Sequence, residues 1–180
     1  MKFTELLTPE NIRQGMVYSS KKTMFEAIGR MVEPLVTECE FSSLQCFSGL
    51  FNREKLGCTG LGNGVAMPRA KLPAGNQPIA IFLQLSEPLD YDAADKRDVD
   101  LILATLIPEG MCGEYIAILE ELSQKLMDKG LCKQLRAAQS ADEIWQVFAY
   151  ADRHFDEQNE NAEESEKPSE QPSTLESEQE

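Results

Sequence analysis

The chain has 180 residues, of which 31 are acidic and 17 basic, so its formal net charge is −14. Most of this charge lies at the C-terminus: residues 156–180 hold ten acidic residues and one lysine, which leaves −5 for residues 1–155. A body of that charge without a basic cluster argues against a nucleic-acid-binding function, because phosphate neutralisation needs concentrated lysine and arginine. The hydrophobic fraction of 42% excludes disorder of the whole chain.

The cysteines and the hydropathy predict the compartment. The five cysteines are odd in number and form no C-x-x-C pair, which argues against a disulfide framework and against a zinc site. The first ten residues lack the apolar run of a signal peptide. The longest apolar runs are far shorter than the roughly 20 residues of a membrane helix. We therefore expect a cytoplasmic protein without membrane insertion, metal or cofactor.

Three helix signals occupy the first third of the chain. Each begins at a serine or threonine that can cap the first turn, and the predicted helices span residues 8–15, 20–34 and about 42–55. Pro9 suits the first helical position, and Gly15 suits the end of the first helix. Pro34 interrupts the apolar 3.6-residue period of the second helix, so it should kink or end that helix.

Strand and helix signals alternate in the rest of the chain. Strands are predicted at residues 65–67, 78–85 and 101–107, and the last of these is nearly all apolar, as in a central strand buried on both faces. Helices are predicted from residue 115 to near Gly130 and at residues 131–138, and a final helix begins at a capping box formed by Ser140 and Glu143. This alternation predicts an α/β fold with a mixed sheet.

The most informative segment is glycine-rich and spans residues 53–71. Gly60, Gly62 and Gly64 alternate, which lets the backbone adopt positive φ angles and approach other groups closely. Pro68 ends the short strand and fixes the direction in which residue 69 leaves it. A dinucleotide-binding loop follows a strand and opens a helix, whereas this loop leads into a strand. From spacing alone, a tight surface turn is the simpler interpretation.

Residues 2 to about 149 resemble the type-2 IIA domains of the bacterial phosphoenolpyruvate phosphotransferase system, and in particular their nitrogen-regulatory branch. The resemblance is carried by residues 53–54, 59–68, 99–101 and 135–140. It implies an α/β fold with a mixed sheet of about five strands flanked by helices. It also implies protein partners, since family members accept a phosphoryl group from a histidine phosphocarrier protein. Nitrogen-branch members regulate potassium transport systems and sensor kinases.

The sequence departs from the family at the residue that carries the phosphoryl group. The resemblance places the phosphoacceptor histidine directly after Pro68, where this chain has Arg69, and a second family histidine at Tyr115. The guanidinium group stays protonated near neutral pH and its nitrogen lone pairs are delocalised, so it cannot attack phosphorus. His154 lies outside the motif. We therefore predict no catalytic residue and no phosphoryl transfer through position 69.

The same departure predicts a cationic binding surface. The planar guanidinium suits phosphate or carboxylate, and the resemblance places Arg53 close to residue 69. We expect Arg53 and Arg69 to line one shallow depression. The full set of predicted binding or regulatory residues is Arg53, Gly62, Asn63, Gly64, Pro68, Arg69 and Lys71. Three functions stay open: a regulatory protein-binding module, a phosphocarrier with another acceptor, and a small-anion sensor.

The domain prediction divides the chain into a IIA-like body at residues 1–153 and an acidic, disordered tail at residues 154–180. Beyond Phe155 only Ala162 and Leu175 are apolar, so this segment cannot bury enough surface to offset its ordering entropy. The tail acts either as a solubilising appendage or as a polyanion that screens the cationic depression in a salt-dependent manner.

Overall fold

A central sheet with helices on both faces organises the chain, as the computed structural model describes it for residues 1–165. The helices are α1 (Phe3–Leu6), α2 (Lys21–Val32), α3 (Ser43–Leu56), α4 (Cys112–Leu126), α5 (Lys129–Ala137) and α6 (Ala141–Ser165). The strands are β1 (Ile12–Met16), β2 (Gly60–Gly62), β3 (Val65–Ala66), β4 (Arg69–Leu72), β5 (Ile79–Leu89) and β6 (Val99–Pro108). The predicted α/β fold with a mixed, helix-flanked sheet is confirmed.

Strand β6 is the centre of the sheet, whose order is β1-β5-β6-β3-β2, with β4 also paired to β6. One edge of β6 pairs antiparallel with β5, and the other pairs parallel with β3 and then with β4. All of its residues except Asp100 are buried. The prediction of a central strand buried on both faces is therefore confirmed.

The sheet separates two hydrophobic cores. One core lies between the sheet and helices α1, α4, α5 and α6, and the other lies between the sheet and helices α2 and α3. Alternate residues of β6 supply the two cores: Leu101, Leu103 and Ile107 face the first, whereas Ile102, Ala104 and Leu106 face the second. This alternation determines on which face a polar residue of β6 lies.

The predicted helix over residues 8–15 is wrong. Pro9–Asn11 forms one 3-10 turn, and the chain then continues as the edge strand β1, parallel to β5. Gly15 has a φ of 69° inside β1, where the register shifts and its N–H donates to Gln84 Oε1 at 3.1 Å. Pairing with β5 thus satisfies the backbone groups of this segment, which forms a strand although its turn signals favour a helix. Gly15 provides the positive φ of a β-bulge.

The remaining predicted elements are present within a few residues of their expected bounds. The capping serines Ser20 and Ser42 accept the expected backbone hydrogen bonds, and α2 ends just before Pro34. Three short elements, α1, β2 and β4, were not predicted. No helix within residues 1–165 is both long and apolar enough to cross a membrane.

The predicted boundary at residue 153 falls inside α6, because this helix continues to Ser165. The expected disorder is therefore wrong for residues 154–165. Phe155 packs against the core, Asp156 pairs with Lys2 at 3.1 Å, and the ring of His154 lies 3.0 Å from the Gln158 amide. Tertiary contacts and pairs one turn apart thus extend the helix beyond its apolar stretch. The rest of the predicted tail, residues 166–180, lies outside the described residues.

A buried carboxylate joins the two ends of the described chain. Asp152 is only 4% exposed and accepts hydrogen bonds from the backbone N–H groups of Phe3 and Thr4 at 2.8 and 3.1 Å. The Thr4 hydroxyl donates a third bond at 2.8 Å. These donors replace the water that a charged carboxylate loses on burial, and they fix α1 against α6.

We expect Asp152→Ala to lower the free energy of unfolding by about 2–3 kcal/mol, because it leaves buried donors of α1 without an acceptor. Urea denaturation followed by circular dichroism measures this change. Asp156→Ala is the matched control, since its ion pair with Lys2 is solvent-exposed and should contribute little. Equal stability losses in the two variants would contradict the structural role of Asp152.

Candidate functional site

The predicted cationic residues line a depression between the end of α3, the start of β4 and helix α4. This feature, here called the arginine depression, has a volume of about 350 Å³, and its lining includes Arg53, Cys58, Thr59, Arg69, Thr105, Ile116, Leu119 and Glu120. An adjoining hollow of about 530 Å³ shares Arg53, Arg69 and Ile116, and adds Leu56 and Lys71. The structure therefore brings Arg53, Arg69 and Lys71 onto one continuous surface.

The register of β4 explains why Arg69 faces this depression. Arg69 pairs with Thr105 of β6, and Lys71 pairs with Ile107. Ala70 and Leu72 are buried in the core beneath α2 and α3, so the alternate residues Arg69 and Lys71 point to the opposite face. The Thr105 N–H donates to the Pro68 carbonyl at 2.9 Å. Pro68 thus sets the register that places Arg69 beside Thr105.

Arg53 reaches the depression from the last turn of α3. Its Nη1 donates to the Gly57 carbonyl at 2.9 Å, which satisfies one of the carbonyl groups that the end of a helix leaves unpaired. A cation at this position is also favoured by the negative end of the helix dipole. One donor of Arg53 is therefore used structurally, and its other N–H groups remain available.

Thr105 is a site residue that sequence reasoning missed. The residue is fully buried, and Thr105 Oγ1 is the one buried side-chain nitrogen or oxygen within residues 1–165 that has no hydrogen-bond partner. Such an unsatisfied hydroxyl costs about 1–3 kcal/mol. The available signal was a single polar residue inside the apolar run at residues 101–107.

A buried hydrogen-bond network supports the depression from behind. The Glu54 side chain is 7% exposed, pairs with Lys21 at 3.1 Å, and accepts from the N–H and hydroxyl of Thr59 at 2.9 and 2.6 Å. The Tyr91 hydroxyl donates to Thr59 Oγ1 at 2.7 Å. Burial and, secondarily, the charge of Glu54 raise the pKa of Tyr91, so this hydroxyl stays protonated. The network fixes the glycine-rich segment to the end of α3.

The predicted loop residues lie elsewhere, in a structure here called the glycine clasp. The Arg136 guanidinium binds both carboxylate oxygens of Asp100 at 2.9 Å and donates to the Asn63 carbonyl at 2.7 Å. The Asn63 N–H donates to Asp95 at 2.9 Å, and this bond is the main reason that the Asp95 pKa is lowered. Gly62 lies against Asp95 on the same turn. Gly62, Asn63 and Gly64 therefore hold the turn in place and do not line the arginine depression.

The structure separates the other two candidate positions from Arg69. Tyr115 is half-buried against the core on α4, and it is the next residue, Ile116, that lines the depression. His154 lies on α6 beside Tyr150, with ring centroids 6.5 Å apart, and lines a different hollow with Asp128 and Phe155. Neither side chain lines the arginine depression.

Comparisons with known proteins agree on one family. The family model of the phosphoenolpyruvate-dependent sugar phosphotransferase system, EIIA 2, matches residues 5–151. A nitrogen regulatory protein homolog of Haemophilus influenzae is 56% identical over 155 residues, which cover 85% of this chain and 94% of the relative.

Solved structures support the same fold. The crystal structure of nitrogen regulatory protein IIA-Ntr from Neisseria meningitidis superposes with a TM-score of 0.73 at 37% identity, covering 80% of this chain and 97% of that one. IIA mannitol of Escherichia coli, solved in complex with phosphorylated IIB mannitol, superposes with a TM-score of 0.63 at 22% identity, covering 79% and 96%. At that identity the second likeness concerns the fold alone.

The glycine clasp predicts a strong effect for Gly64→Ala. A Cβ atom at Gly64 would lie 2.8 Å from Arg136 Nη2 and 2.9 Å from Asp100 Oδ1, and the φ of 78° is unfavourable for alanine. We expect this variant to lose about 2–3 kcal/mol of unfolding free energy or more, because it strains the backbone and displaces the ion pair.

Gly75→Ala is the matched control for this prediction. Gly75 has a similar φ of 88°, but a Cβ atom at this position would have no other atom within 4 Å. This variant should lose only about 1 kcal/mol of unfolding free energy, which is the contribution of the strained backbone. Denaturant unfolding measures both variants, and equal losses would show that the collision with Arg136 and Asp100 has no energetic consequence.

Proposed function

Because this chain belongs to the type-2 EIIA family of the phosphotransferase system, we propose that it is a nitrogen-regulatory IIA-like protein that acts by binding other proteins and does not carry phosphate at residue 69. The observation that carries the proposal is Arg69, which faces the depression beside Arg53 and Thr105. The name of the Haemophilus influenzae relative supports the regulatory role.

Arg69 makes this surface chemically unsuited to accepting a phosphoryl group. A phosphocarrier needs a nucleophile that is neutral near pH 7, as imidazole is. The guanidinium group is protonated and its nitrogen lone pairs are delocalised, so it offers no such nucleophile. The chain has one histidine, His154, and it lies in a different hollow. The charge at residue 69 is therefore permanent, and partner binding there is not switched by phosphate on that side chain.

The rim of the depression supports a protein as the partner. Leu56 is 85% exposed and Ile116 is 64% exposed, and both lie beside the cationic residues. Exposed apolar side chains next to positive charges suit a partner face with an apolar centre and flanking carboxylates. The related IIA mannitol fold binds another protein, phosphorylated IIB mannitol. We infer that this chain uses the same kind of contact for regulation.

Phosphorylation by the relay tests the first part of the proposal. We expect no acid-labile label on this chain after incubation with the first enzyme and the phosphocarrier protein of the system and labelled phosphoenolpyruvate. A histidine-bearing relative in the same mixture is the positive control, and Arg69→His shows whether the position alone is limiting. An acid-labile label on the wild-type chain would overturn the proposal.

Protein capture tests the second part. We expect a partner retained from native extract by the wild-type chain to be lost with Arg69→Glu and with Ile116→Asp, since these changes reverse the charge and the polarity of the surface. Lys22→Glu is the charge-matched control, because Lys22 is exposed on α2, away from the depression. Retention of the same partner by Arg69→Glu would place the interface elsewhere.

A further inference from the structure

We propose that the arginine depression binds a phosphate group non-covalently, with the Thr105 hydroxyl at its floor and the guanidinium groups of Arg53 and Arg69 at its wall. The ligand class is inorganic phosphate or a small phosphate monoester. The inference rests on the proposed function in one respect, namely that Arg69 binds and does not react. It assigns a small ligand to a surface that was proposed above to contact proteins.

The position of Thr105 supports phosphate binding. Thr105 and Arg69 are register partners on adjacent parallel strands, so their side chains leave the sheet on the same face. Among residues 1–165 the Thr105 hydroxyl has no hydrogen-bond partner, and it is not exposed to solvent, although the residue lines the depression. Buried hydroxyl groups in native proteins are nearly always hydrogen-bonded, so an unsatisfied one at the floor of a depression points to a ligand.

The positive charge of the depression also favours an anion. Within the described part of the chain, no carboxylate lies within salt-bridge distance of Arg69. Arg53 uses Nη1 on the Gly57 carbonyl and keeps its other donors. Two guanidinium groups in a partly enclosed hollow attract an anion and offer paired N–H donors to its oxygens.

The number of donor groups favours phosphate over carboxylate. They come from three elements, namely α3 and the adjacent strands β4 and β6. A phosphate presents three or four oxygens to three donor groups, whereas a carboxylate presents only two. Since Thr105 is fully buried, an oxygen reaches it only when a rim side chain turns aside.

Glu120 opposes the ligand and provides a sensitive control. Its carboxylate belongs to the exposed side of α4 and lines the same depression. A negative charge there lowers the affinity for an anion, so neutralising it should strengthen binding. A purely structural effect of mutating this exposed residue would not have that sign.

Isothermal titration calorimetry of the full chain with inorganic phosphate at low salt is the primary test. We expect saturable binding at one site, weakened about tenfold or more by Thr105→Val and by Arg69→Gln, because each removes a donor to a charged ligand. Thr105→Ser keeps the hydroxyl and should bind nearly as wild type. Glu120→Gln should bind more tightly. Lys22→Gln, which removes an exposed charge on α2 away from the depression, should change the affinity by less than about twofold.

Cysteine alkylation gives an independent reading of where the phosphate binds. Cys58 is exposed and lines the depression, whereas Cys39 is exposed elsewhere. Cys46 stays unreactive, because burial raises its pKa to about 12. We expect phosphate to slow the alkylation of Cys58 and to leave that of Cys39 unchanged. A sugar phosphate in a parallel arm distinguishes an ester ligand from free phosphate by its higher affinity.

The inference is overturned if phosphate shows no saturable binding, if Thr105→Val binds as wild type, or if Cys58 and Cys39 are protected equally. Urea denaturation checks that Thr105→Val folds, and this nearly isosteric variant removes an unsatisfied hydroxyl, so it should be at least as stable. Absence of phosphate binding leaves protein capture by the Arg69 surface untouched. An acid-labile label would contradict the proposed function without bearing on Thr105→Val.

Discussion

The pairing of two short strands to the same edge of β6 is the constraint on which the site depends. β3 and β4 both run parallel to β6, and Pro68 lies between them with its carbonyl bonded to the Thr105 N–H at 2.9 Å. A slip of one residue in β4 would turn Arg69 and Lys71 into the core and bring Ala70 to the surface. The register is protected because Ala70 and Leu72 are buried beneath α2 and α3. The hydrophobic core thus determines which residues of β4 face the arginine depression.

The segments that carry the family resemblance have mainly a structural role in this chain. Arg136, Asp100 and Asn63 come from three of these segments and meet in the glycine clasp, while Glu54 and Thr59 join a fourth segment to the loop. Between them these contacts fix both ends of the glycine-rich segment. A framework of this kind holds the residue after Pro68 in place whether that residue is a nucleophile or a cation. A different side chain at position 69 would therefore change the chemistry of the site without disturbing these contacts.

Sequence reasoning predicted the elements with strong periodicity or caps, such as α2 and α3, and the buried strand β6. It failed at β1, because Thr8 and Pro9 give the same local signal for a 3-10 turn as for a helix, and only pairing with β5 decides between them. The meeting of Arg53 and Arg69 in the arginine depression was expected from the resemblance. Thr105 was not expected, since its significance depends on the register with Arg69 and on the absence of a hydrogen-bond partner, and a linear sequence shows neither.

The contact of Asp152 with Phe3 has a consequence for how the protein is made. It joins residues 149 positions apart, so α1 has no place to dock until nearly the whole body has been synthesised. Chains emerge from the ribosome N-terminus first, and the first residues must therefore wait for α6.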